Sequence, residues 1–365
     1  MKTAIITITD FSNIGNRLQN YAVQQVLLQM NQEPKSLRVR IDMNVHKRFK
    51  QQIRRICSII LPKTLYRKKP ASVRFTLFEQ FTRKYILEKI YVDKNNSFCD
   101  VKMDKFDYYI VGSDQVWNPN YLETNLFNNY LLTFATPEKR ISYAASFGVS
   151  ELPEEWKKCF AEELSKFKAI SVREDAGAKI IKELTGRDVE VLIDPTMMLN
   201  ADTWRQISKK ARVRKREKKS YILKYFLGDQ SEERKKYIQS IADKNGLEVY
   251  DLLDIRYREI YTAGPDEFLD LIDHAALICT DSFHATTFSI LFAKPFLVMN
   301  REQEGMGNMG SRIITLLSKL HLERRISGKI EENQIFECDY HEAYQALEKE
   351  REKAYTFLKK AMSLE

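Results

Sequence analysis

The chain has 365 residues, 44% of them hydrophobic and 30% charged, with a formal net charge of +9. That length supports two hydrophobic cores rather than one, and no window approaches the roughly 20 consecutive apolar residues of a membrane-spanning helix. The surplus of cations favours anionic partners, but zinc-finger spacing and the aromatic-basic signature of an RNA-binding sheet are both missing, so nucleic acid is not expected.

The opening stretch Met1 to Phe11 has no signal-peptide layout, because its short apolar run alternates as a strand does; a cytoplasmic protein is expected. Cys57, Cys99, Cys159, Cys279 and Cys338 are odd in number, scattered and without a CxxC pair, so neither a disulfide framework nor a zinc site is indicated. The histidines show no HxH or HExxH spacing, and no metal site is expected.

Along the chain, short β-rich runs alternate with amphipathic stretches, the pattern of an α/β protein with parallel sheets. Strands are expected at Thr3 to Ile8, Tyr108 to Val111, Arg140 to Tyr143, Ala169 to Val172 and Val189 to Ile193. A second group follows at Tyr221 to Tyr225, Leu247 to Tyr250, Ala275 to Cys279 and Phe296 to Met299. Between them the 3.6-residue period predicts helices at Arg17 to Met30, Glu154 to Phe167, Asp175 to Leu184, Ser231 to Asn245, Pro265 to Asp273 and Ser282 to Phe292. The break falls at Asp194-Pro195, where a strand ends and a fresh helix begins, giving domains over 1–195 and 196–340. The charged amphipathic stretch His341 to Met362 predicts a helix, so that 341–365 returns to the first domain.

Within a basic helical insertion over about 42–100, the run His46 to Lys69 contains no acid and centres on Ile53, Ile56, Ile59, Ile60 and Leu61. It reads two ways: a helix docked on the first domain with a solvated basic face, or a surface that touches anionic membrane.

Ligands of open parallel sheets bind beyond the carboxyl ends of the strands, and the short polar residues of this chain collect there. After the first strand come Thr9 to Asn16, after Val111 comes Gly112-Ser113-Asp114-Gln115, after Val172 comes Arg173-Glu174-Asp175, and after Cys279 comes Thr280-Asp281-Ser282-Phe283-His284. Each has a plainer reading: Ser12 and Asn13 as helix caps, Arg173 with Glu174 as a surface ion pair, His284 as a packed core histidine. The start of a helix could equally expose the His284 imidazole at a cleft beside N–H groups suited to an anion. No GxGxxG or GxxxxGK[ST] signature is present. The run Gly305 to Gly310 lacks the strand-to-helix context and reads as a loop ahead of Ser311, Arg312 and a helix.

At these residues the chain resembles the polysaccharide pyruvyl transferase family. The likeness runs from GNRLQNYAVQ at Gly15 through VGSDQVWN at Val111, SYAASFG at Ser142, ISVRED at Ile170 and LIDPTMML at Leu192 to TDSFHATTFSILFAKPFLV at Thr280. The resemblance implies two Rossmann-like domains facing a central cleft, as in GT-B glycosyltransferases. It implies transfer of pyruvyl from phosphoenolpyruvate to two hydroxyls of a sugar as a cyclic ketal, in the making of surface polysaccharide. It casts His284 and Asp114 as the catalytic pair and Arg173 as the residue that holds the donor; Asn16, Ser113, Gln115, Asp281 and Ser282, from the loops past the strands, and Arg312, after the 305–310 loop, are the further substrate-binding candidates. Phosphoenolpyruvate is a co-substrate and no other cofactor is implied. The acceptor it implies is a sugar, free or carried on a lipid, with peripheral membrane contact. Many members carry Asp-Arg-Leu-His where this chain has Asp281-Ser282-Phe283-His284, so either Arg312 or another cation takes the place of the missing arginine. Two rival readings remain: a GT-B enzyme using a nucleotide sugar, with Glu302 or Glu304 on the ribose, and a non-catalytic sugar-binding homologue.

Overall fold

The computed structural model describes residues 1–41, 69–93, 95–99, 101–102, 104–122, 124–209, 220–302, 310–337 and 339–364. Most of the basic run His46 to Lys69, the loop 305–309, Cys57, Cys338 and Glu304 lie outside the described residues. In chain order the first half comprises β1 (Lys2–Ile6), α1 (Ile14–Gln29), β2 (Glu33–Ile41), α2 (Pro70–Tyr85), β3 (Glu88–Asp93), β4 (Tyr108–Val111), α3 (Thr124–Tyr130), β5 (Arg140–Ala145), α4 (Glu154–Ser165), β6 (Ala169–Val172), α5 (Asp175–Thr185) and β7 (Glu190–Val191). The second comprises α6 (Ala201–Ser208), β8 (Tyr221–Tyr225), α7 (Glu232–Asn245), β9 (Glu248–Asp251), α8 (Arg258–Tyr261), α9 (Pro265–His274), β10 (Leu277–Thr280), α10 (Phe283–Leu291), β11 (Phe296–Val298), α11 (Ser311–Lys319) and α12 (His341–Ala361).

The first sheet has seven strands in the order β3-β2-β1-β4-β5-β6-β7 and the second has four in the order β11-β10-β8-β9, parallel throughout. Helices on both faces of such sheets bury both sides of the central strands, which is why β5 and β8 are buried from end to end. Both orders reverse next to the first strand of their half, the switch point at which open sheets leave a crevice.

One expectation is corrected. Glu88 to Asp93, placed within a helical insertion, is an edge strand paired with β2 from Ser36↔Glu88 to Ile41↔Asp93; only α2 is helical in the described part of that region. Each half has an apolar cluster of its own, and a third, larger one is common to both. The common cluster joins Ile5, Leu18 and Trp204 to Phe268, Phe288 and Leu347, while the two smaller clusters cover the outer faces of the sheets.

The shared core has a local cause. Helix α1 buries Ile14 to Asn20 without a break, because it lies on the first sheet and also packs against α9 and the Pro195–Met198 turn. Trp204 fills the junction, with Tyr21 at 5.7 Å and Phe288 at 5.0 Å between ring centroids and its Nε1 donating to Thr196 O at 3.1 Å. Helix α12 laces the halves together: Arg351 donates to Met197 O and Leu199 O, Tyr344 to Ile290 O, and Tyr355 to Gln29 Oε1. Among the described residues no helix is long and apolar enough to cross a membrane.

Candidate active site

The carboxyl ends of β1, β4, β6, β7 and β10 converge, so the loops after them meet across the gap between the sheets. After β4 the backbone turns sharply. Gly112 has φ +114°, and a Cβ there would stand 2.3 Å from Tyr143 O, so no side chain fits. Asp114 follows with φ +72°, a left-handed conformation that aspartate tolerates better than most residues. This turn aims the Asp114 carboxylate inward, where Oδ2 accepts from Asn16 Nδ2 and Oδ1 accepts from Gln115 N at 2.8 Å.

Arg173 leaves the end of β6 and is almost wholly buried. Its Nη1 donates to Asp194 Oδ2 at 2.7 Å and to Ser113 Oγ at 3.4 Å, and its Nη2 stands 3.6 Å from Asp114 Oδ1. The guanidinium lies 4.4 Å from the ring centroid of Phe283, a cation–π contact supplied by the second half. Burial opposes its charge, but Asp194 and Asp114 outweigh that and raise its pKa.

Asp194 is fully buried, with Oδ1 accepting from Thr196 N and Oγ1, and Oδ2 accepting from Ser113 Oγ at 2.7 Å. Burial alone would raise its pKa; His284, Arg173 and the two bonds from Thr196 instead hold it at about 2. His284 Nε2 lies 3.8 Å from Asp194 Oδ2, too far for a hydrogen bond. Burial, together with Arg173 and Arg312, lowers the imidazole pKa against the pull of Asp194 and Asp114, which favours the neutral form. The ring also rests against the start of α1: a Cβ on Gly15 would fall 2.0 Å from His284 Nδ1.

Arg312, on α11, is the second cation of this corner. It is 5% exposed, and burial followed by repulsion from Arg173 lowers its pKa to about 10, which still leaves it charged at neutral pH. Its Nε, with Arg173 Nε and Nη2 and His284 Nε2, is buried without a hydrogen-bond partner. Buried polar atoms without partners are costly, and four of them gather at this corner.

The other candidate residues have different work. Both Asp281 oxygens are engaged, Oδ1 by Leu227 N at 2.7 Å and Oδ2 by Gly228 N at 3.0 Å and Arg301 Nε at 3.1 Å. Ser282 is the N-cap of α10, its Oγ accepting from Ala285 N. Gln115 Oε1 accepts from Asn118 Nδ2 at 2.6 Å and braces its own loop. Arg173 and Glu174 are not a surface pair: both are buried, and Glu174 Oε1 accepts from Ser146 Oγ, Phe147 N and Gly148 N. Glu302 is taken by Ser231 and Arg234. Sequence reasoning used Asp194 only as a chain break, although the rule that flagged Asp114 and Arg173, a polar residue just past a strand, applies to it equally.

Two Rossmann-like sheets whose carboxyl ends share one cleft, with buried cations and a histidine at their meeting point, define a GT-B-like protein. Residues 13–303 match the family model for polysaccharide pyruvyl transferase, and the chain belongs to that family, whose activity is that of a transferase. Similar solved structures include the UDP-GlcNAc 2-epimerase from Neisseria meningitidis bound to UDP-GlcNAc, at 11% identity and TM-score 0.44, covering 98% of this chain and 94% of that one. The UDP-GlcNAc 2-epimerase from Methanocaldococcus jannaschii aligns at 12% identity and TM-score 0.45, covering 95% and 92%. The E. coli ADP-heptose lps heptosyltransferase II aligns at 9% identity and TM-score 0.37, covering 97% and 99%. No curated protein matches the chain significantly.

Proposed function

We propose that the protein transfers the pyruvyl group of phosphoenolpyruvate to two hydroxyls of one sugar, forming a cyclic ketal and releasing phosphate. The observation that carries this reading is the pair of buried guanidiniums, Arg173 and Arg312, with unpartnered N–H groups beside His284. A small dianion with a phosphate and a carboxylate suits that set, each charge-assisted hydrogen bond contributing about 1.5–3 kcal/mol. Arg312 thereby serves in place of the arginine that many relatives carry at position 282.

His284, favoured in its neutral form, takes the proton of the attacking hydroxyl, and Asp114 is the second proton-transfer group. Protonation of the donor methylene makes C2 cation-like, the first hydroxyl oxygen bonds to it, and the second hydroxyl closes the ketal as phosphate departs. Of the two hydroxyl protons released, one is matched by the proton gained at the methylene and the other leaves with phosphate. No redox step occurs.

The test is thermal denaturation with phosphoenolpyruvate and, separately, a panel of nucleotide sugars, followed by phosphate release with an acceptor glycan. A rise in Tm with phosphoenolpyruvate and a pyruvylated product are expected. Stabilisation by a nucleotide sugar alone overturns the reading in favour of glycosyl transfer.

A further inference from the structure

A second concavity, of about 430 Å3, opens between the turn after β1, helix α2 and the 253–261 segment of the second half. It differs in chemistry from the Arg173 corner: Phe11, Phe75 and Tyr261 give it aromatic walls, and Arg74, the one lining cation among the described residues, is tied down. Phe75 is 43% exposed, although a large ring is usually buried. It packs on Phe11 at 5.3 Å, and Phe11 is held from behind by Arg17 and Arg38, whose guanidinium carbons lie 5.6 and 5.1 Å from its centroid. Tyr261 faces the same space from the second half.

Arg74 fixes this arrangement. Only 6% exposed, it donates from Nη1 to Tyr261 O at 3.1 Å and from Nη2 to Ser12 O at 3.2 Å, so one side chain clasps both halves. Its Nε is buried without a hydrogen-bond partner. At the rim, the exposed Asp10 carboxylate is oriented by Ser12 N and Ser12 Oγ, both 2.7 Å from Oδ1. The Asp10 N–H donates to Asn16 Oδ1 at 3.3 Å, and Asn16 Nδ2 donates to Asp114. The wall of the cavity is therefore continuous with the carboxylate of the candidate active site.

We propose that this cavity is the acceptor subsite and seats a neutral sugar ring. A pyranose has an apolar C–H face and a rim of hydroxyls; flat aromatic walls match the first, and a carboxylate with a fixed guanidinium matches the second. The volume falls in the range of about 300–1,000 Å3 found for small-molecule sites. The proposal rests on the transferase reading for the meaning of "acceptor", because the phosphorylated donor is assigned to Arg173 and Arg312 and the neutral partner needs a neighbouring place.

The experiment titrates the full chain with methyl glycosides of glucose, galactose, N-acetylglucosamine and N-acetylmannosamine, read by saturation-transfer NMR, with phosphoenolpyruvate-dependent Tm measured on the same samples. At least one glycoside binds the native protein. Phe75→Ala and Tyr261→Ala each weaken it by about tenfold or more, Phe75→Trp retains it, and the phosphoenolpyruvate response stays intact. Phe75→Leu, which keeps bulk but not a flat face, gives the same loss should the alanine variant unfold. Glycoside binding without any response to phosphoenolpyruvate removes the donor reading and leaves the subsite supported. Binding unaltered in both alanine variants, or no glycoside bound by the native protein, overturns the proposal.

Discussion

Two aspartates, Asp194 and Asp281, each follow a strand, each are buried, and each meet an arginine, yet they are used differently. Asp281 spends its oxygens on the backbone of Leu227 and Gly228 and on Arg301, all from the second half. Asp194 is satisfied by Ser113 and Thr196 on one side and turns toward Arg173 and His284 on the other, so its charge acts across both halves. Asp281 adjoins His284 in sequence, but Asp194 is the aspartate whose carboxylate stands 3.8 Å from its ring in space. A carboxylate whose partners are backbone N–H groups of one loop shapes that loop, whereas one shared by side chains from several strands sets the electrostatics of a site.

The sharpest break of this comparison is Arg173→Ala. It leaves Asp194 and Asp114 buried near a lost cation, so transfer is expected to fall on the order of 10³-fold and stability by about 3–5 kcal/mol, read from turnover and from denaturant melts. Arg173→Lys keeps the charge without the planar fork and should sit between the two. Normal phosphoenolpyruvate affinity in the alanine variant would remove Arg173 from the donor site.

His284→Ala is expected to lower turnover by roughly 10²–10⁴ while the fold survives. Near-normal activity would leave only a packed core histidine. Because its pKa is held below 6.5 by burial, the acid limb of kcat/KM should lie below that value and vanish in His284→Gln. The unfolded chain binds this proton more readily, so the contribution of His284 to stability is complete above pH 6.5 and is lost as pH falls toward the folded pKa.

Asp281→Asn sharpens the contrast from the other side. It should cost about 1–3 kcal/mol of stability by disturbing the Leu227–Gly228 turn, with turnover reduced far less than in Arg173→Ala. If catalysis fails while the melt is unchanged, Asp281 belongs with Asp194 after all. The smallest effect is expected from Ser282→Ala: loss of an N-cap, about 1 kcal/mol, with little change in donor affinity. A large loss of donor affinity would show that the serine itself touches the donor.

The strands with dense β-branched or aromatic content, such as those at Tyr108 and Tyr221, were legible because their patterns had no competitor. Two were not. Strand β2 opens Glu33-Pro34-Lys35 and carries Ser36, whose burial is tolerated only because Asn20 Nδ2 donates to its Oγ at 2.8 Å, a partner visible only in space. Strand β3 lies at the edge, half-buried along most of its length, so it has no strong apolar signal to give. In the site, Asp114, Arg173 and His284 could be found one by one from their positions past strand ends. Their linkage through Asp194 and Ser113 could not, because it depends on how far apart neighbouring strands stand.

Gly15 lies in the first turn of α1, and glycine favours a helix less than alanine does. Nothing in its own turn of helix asks for it. The requirement comes from the His284 ring, which occupies the space a methyl group would need. The missing carbon thus works as a spacer gauge between the halves: any larger residue would act as a wedge, holding the imidazole off its seat and widening the gap that Arg173 and Phe283 bridge. One vacant methyl position in the first half sets the reach of a histidine in the second.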